Sequence, residues 1–74
     1  MNKEEARKKA VKLATEKGWK ESDVSFLNRK DKDYVFYLYM PQGDFGPPCG
    51  IVVNENIYKI RELTSQEILL LRQN

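Results

Sequence analysis

Asp33-Tyr-Val-Phe-Tyr-Leu-Tyr-Met40 is the stretch that decides the fold, because no other run of the chain is so rich in aromatic and β-branched residues. It reads as a central strand. Alternation along a strand sets Tyr34, Phe36, Leu38 and Met40 on one side of a sheet and Val35, Tyr37 and Tyr39 on the other. Both sets are apolar or aromatic, so both faces are expected to be covered by protein.

Upstream, Asn2 followed by Glu5 gives a helix start with a capping side chain and an acid in the first turn. Ala6, Ala10, Leu13 and Ala14 recur at helical spacing, opposite Lys8, Lys9, Lys12 and Glu16. Small side chains on the buried stripe let such a helix approach a sheet closely. Glu4/Lys8 and Glu5/Lys9 are spaced for surface pairs. Gly18 is placed to take the left-handed position just past the helix, which puts Trp19 where it can pack back on Leu13 or Ala14 as a core plug. Val24 to Leu27 reads as a first strand, with Val24 and Phe26 on one face, and Asn28 to Lys32 as a charged hairpin connection.

Beyond Met40 the loop Pro41-Gln-Gly-Asp-Phe-Gly-Pro-Pro-Cys-Gly50 concentrates three prolines and three glycines. That composition fixes a bend and resists helix or ladder. Phe45 sits among residues that cannot bury it locally, so it either folds over the sheet edge or is offered to a partner. Cys49 to Val53 is strand-prone, Asn54-Glu55-Asn56 is a turn, and Ile57 to Arg61 reads as a last, edge strand whose Lys59 and Arg61 discourage edge pairing. Cys49 is read as a small buried residue at the start of its strand. Thr64 and Glu67 form a capping box, with Leu63 and Ile68 as the staple across it, so a short helix runs from Ser65 to the end. The Ile68-Leu-Leu-Leu71 run wraps most of that helix, and one surface cannot bury all of it. The reading is one α+β domain over residues 1–74: an N-terminal helix on a three- to four-stranded antiparallel meander, then a short C-terminal helix.

Composition narrows function by exclusion. The 74 residues suit one modest core. One cysteine and no histidine leave no internal disulfide, no zinc site of the usual kind and no Cys/His dyad. No cofactor is implied. The acids Asp31, Asp33, Asp44 and Glu55 are scattered over loops, and Asp31-Lys-Asp33 lacks the glycine and glutamate of a calcium loop, so catalysis is not expected. A net charge of +2 with interleaved signs is too weak to argue for nucleic acid or an anionic membrane. No run approaches a membrane helix. The chain reads as cytoplasmic if Met1 is the native start and as extracytoplasmic if a signal peptide has been removed.

What remains is protein binding. The surplus of tyrosines and the over-hydrophobic last helix point to Tyr37, Tyr39, Phe45, Leu69 and Leu70 as partner-contacting residues, with a homodimer through the same surface as the competing outcome.

Several of these segments carry a resemblance. Glu4-Glu5-Ala6, Asp23-Val24, Tyr34-Val35-Phe36 and Ile51-Val-Val-Asn54 through Ile57 resemble the corresponding segments of PepSY-type domains, over roughly residues 2 to 60. The resemblance implies a non-catalytic module that binds or restrains a protein partner, in a family that is mostly extracytoplasmic. The helix, sheet, helix order is also similar to the double-stranded-RNA-binding domain, which places a lysine cluster at the start of its last helix to hold phosphates. Here that position reads Thr64-Ser-Gln-Glu67, with no cation and one acid. A small immunity- or antagonist-type protein of a mobile element fits the same length and aromatic content.

Overall fold

The computed structural model describes residues 1–39 and 48–73. Helix α1 (Lys3–Glu16) is followed by a 3-10 turn (Glu21–Asp23), strands β1 (Val24–Lys30), β2 (Asp33–Leu38), β3 (Cys49–Val53) and β4 (Tyr58–Glu62), and helix α2 (Ser65–Arg72). The strands form an open antiparallel sheet in the order β1-β2-β3-β4. The α+β reading holds, and the meander has four strands.

Helix α1 begins where Asn2 caps it, its side chain accepting from the Glu5 N–H at 2.9 Å. It ends in a Schellman turn. Gly18 takes φ 103°, its N–H bonds the Thr15 carbonyl, and the Trp19 N–H reaches back to Ala14. Ala6, Ala10 and Ala14 are fully buried and meet Val24, Tyr34, Phe36, Leu38, Ile51 and Val53 on one face of the sheet. Three alanines one helical turn apart leave no bulk between helix and sheet, so Phe36 and Ile51 fill the gap. Phe26 closes this core edge-on to Phe36, ring centres 5.7 Å apart. Trp19 is half-buried against the same cluster, and its indole N–H donates to the Tyr39 carbonyl at 3.2 Å.

Several boundaries differ from the sequence reading. Strand β1 continues to Lys30, so the connection to β2 is the two-residue turn Asp31-Lys32, with Asp31 in the left-handed region at φ 55°. Asn28, Arg29 and Lys30 look like loop, yet at a sheet edge they have water on one side. The longer strand carries a bulge. Phe26 pairs with Phe36 and Asn28 with Val35, leaving Leu27 as the extra residue on the second face, where it is half-buried, and shifting the phase of the residues that follow. The last strand is Tyr58–Glu62, one residue later than read, and it does lie at the edge. Strand β2 stops at Leu38, while Met40 and Phe45 lie outside the described residues. The pairs Glu4/Lys8 and Glu5/Lys9 do not close. The ion pairs among the described residues are the N-terminal ammonium with Glu55 at 3.5 Å and Arg61 with Glu67 at 2.8 Å.

Candidate partner-binding surface

The second face of the sheet is thinly covered. Val35, Val52 and Leu63 are its buried residues, with Leu27, Tyr37 and Ile68 half-buried around them. Gly50, between Tyr37 and Arg61 in register, lets the cover come close. A Cβ built there falls 2.6 Å from Leu63 Cδ2 and 2.5 Å from the Phe36 carbonyl oxygen, so only glycine admits Leu63 over the strand.

Helix α2 is the lid on this face, and its first turn is tied down twice. Thr64 and Glu67 form the reciprocal capping box, Glu67 N–H to Thr64 Oγ1 at 3.2 Å and Thr64 N–H to Glu67 Oε1 at 2.8 Å. Leu63 and Ile68 join one apolar cluster on either side of it, where the staple places them. The same Glu67 carboxylate receives Arg61 through two hydrogen bonds, 2.8 and 2.9 Å long. The Arg61 bonds hold the Glu67 carboxyl at about 2 against their opponent, burial, with the Thr64 N–H adding to them. Arg61 is raised in turn, by the same hydrogen bonds and the charge of Glu67. Glu67 is 7% exposed, and this buried charge is the feature sequence reasoning missed. A capping box leaves its acid at the surface by default, and nothing in the spacing of Arg61 and Glu67 marks a pair.

Beyond that first turn the helix is only partly covered. Leu69 is 56% exposed, and Leu70 and Leu71 are half-buried. Of the five predicted contact residues, Tyr37 joins the cluster that Ile68 and Leu63 cover, and Leu69 and Leu70 stand on the helix that forms the lid. Tyr39 lies past the end of β2 and is 53% exposed. Its backbone is held at both ends, the N–H by the Asp23 carbonyl at 2.8 Å and the carbonyl by Trp19. Coverage of both faces therefore holds for Val35 and fails for Tyr39.

No family model, no curated protein and no solved structure matches this chain.

The hairpin-turn end of the sheet is polar. An open depression of about 610 Å³ lies between the two hairpin turns, lined by Arg29, Asp31, Asp33, Asn54 and Glu55 among others. Its groups answer one another: Asn54 Nδ2 donates to Asp33 at 2.9 Å while Asn54 Oδ1 accepts from the Asn56 and Ile57 N–H groups. Among the described residues no three acidic or cysteine side chains converge as metal ligands. Among the described residues no helix is long and apolar enough to cross a membrane. Cys49 is half-buried at the start of β3.

Proposed function

We propose that this chain is a small, non-catalytic module that binds or restrains a protein partner through the second face of its sheet and helix α2. One observation carries the reading: α2 is fixed at its first turn and yet presents Leu69 to solvent beside half-buried Leu70 and Leu71. Apolar side chains on a helix anchored at its first turn, whose Ile68 packs on the same cluster as half-buried Tyr37, make the kind of partly dry patch on which interface anchors seat. The PepSY-type resemblance supports the same class of function. An immunity- or antagonist-type protein uses the same surface in the same way, since both act by occupying a partner. The RNA-binding reading has less support, because the first turn of α2 supplies an acid already neutralised by Arg61.

The test compares Tyr37→Ser/Tyr39→Ser with the parent chain for partner binding and for urea unfolding. The proposal expects binding to fall by much more than stability. Equal losses would mark the tyrosines as core residues and remove them from the interface.

A further inference from the structure

The two edges of the sheet are not equivalent. At β1, the Val24 N–H bonds the Glu21 carbonyl and the Val24 carbonyl receives Arg7 Nη1 at 2.9 Å, so its first outward-facing residue is already occupied. The bulge at Leu27 then breaks the regular spacing of outward groups. Arg29 and Lys30 follow, so β1 is a blunted edge.

Strand β4 pairs with β3 without a bulge. Hydrogen bonds from Asn54 N–H to the Ile57 carbonyl and from Leu63 N–H to the Pro48 carbonyl fix the phase of its ladder. Residues 57, 59, 61 and 63 therefore turn their backbone groups toward β3, while Tyr58, Ile60 and Glu62 turn theirs outward in unbroken alternation. Among the described residues, of these outward carbonyls only that of Glu62 is engaged, by Arg61 at 2.8 Å. Arg61 reads in the sequence as an edge guard, but its guanidinium is turned to Glu67 and neutralised there. Lys59 is left as the one uncompensated charge on the strand's second face. Beside it stand Ile57 and Tyr58, each 47% exposed.

We propose that the β4 edge accepts an extended segment of a partner protein as an added strand, with an acidic residue opposite Lys59 and an apolar residue opposite Ile60. Strand addition draws affinity from the outward backbone groups and specificity from alternate side chains. A second copy of this chain is the poorer occupant. Lys59 calls for an opposite charge, whereas symmetric antiparallel pairing centred on residue 59 sets Lys59 against Lys59, and like charges directly opposite are destabilising. The edge lies apart from Leu69 and the tyrosines, so the two surfaces stand or fall separately.

The experiment titrates the nitrogen-15-labelled chain with a blocked heptapeptide alternating valine and glutamate, and with its valine and lysine counterpart. The amides of Tyr58, Ile60 and Glu62 should shift with the glutamate peptide at low salt, roughly tenfold more tightly than with the lysine peptide. Lys59→Glu should reverse that preference. Tyr58→Pro deletes an outward donor and no bond to β3, so it should weaken binding with the spectrum otherwise retained. Silent β4 amides, shifts at β1 or α2 instead, or equal binding of the two peptides would each overturn the proposal. If Tyr58→Pro does not fold, the Lys59→Glu preference decides alone. Tyr37→Ser/Tyr39→Ser should leave this titration unchanged, which separates it from the fate of the α2 surface.

Discussion

Arg61 and Glu67 clasp each other through two parallel hydrogen bonds of 2.8 and 2.9 Å, and in doing so join the edge strand β4 to the first turn of α2. The Glu67 carboxyl titrates at about 2 in the folded chain, against an ordinary value of 4.5. Its folded value is lowered, so the unfolded chain binds the proton more readily between the two. The contribution to stability is therefore complete above about 4.5 and is lost as pH falls toward 2. A shift of that size corresponds to at most about 3 kcal/mol. Urea unfolding of the parent chain should show stability declining across that window, while Glu67→Gln should be about 2 kcal/mol less stable at neutral pH and flatter through the acid range. A Glu67→Gln variant with the parent's acid profile would show that other carboxylates set it.

Two glycines separate steric from conformational cost. At Gly50 an added Cβ meets a backbone oxygen, which cannot move aside, and Leu63, so Gly50→Ala should cost at least about 2 kcal/mol and loosen α2. At Gly18 nothing lies within 4 Å of the new atom and only the positive φ opposes it, so Gly18→Ala should cost about 1 kcal/mol. Chemical denaturation of the two variants side by side checks the order. Equal costs would mean that the β3 backbone yields to the intruding methyl.

Asn54 holds the β3–β4 turn from inside, accepting from two backbone N–H groups and donating to Asp33. Asn54→Ala strands those partners and should cost about 1–2 kcal/mol. Amide exchange should quicken at Asn56 and Ile57 before it does at Phe36. Unchanged protection there would show that the turn stands without its side chain.

Those residues also mark what could be read beforehand. Local signals carried well, because capping and C-terminal turn chemistry lie within a few residues of each other: Asn2, Gly18 and the Thr64/Glu67 box all sit where the sequence puts them. The alanine stripe of α1 and the alternation in β2 carried too, since periodicity names the buried face whatever lies across from it. Failures came where a residue's neighbour is distant in the chain. Arg61 looks like an edge guard until β4 meets α2, and Leu27 looks like a strand end until Phe36 and Val35 set the register. Of the candidate surface, Tyr37 and Leu69 were legible as apolar excess. Tyr39 was legible as an aromatic offered for contact, but not as lying past the strand end, because that depends on β2 stopping at Leu38. Phe45 falls outside the described residues.

The central claim is that α2 and the second sheet face form a protein contact. Leu69, exposed on a tied-down helix, tests it with least damage to the fold, since Leu69→Ser should change stability by no more than about 0.5 kcal/mol. The direct measurement is capture from lysate of the source organism with tagged parent chain and tagged Leu69→Ser, each with and without nuclease, read by mass spectrometry and alongside melting curves. The account predicts a stoichiometric protein that survives nuclease on the parent chain and is depleted on the variant at equal thermal stability. Recovery that is identical on both chains, or that disappears with nuclease, would contradict it.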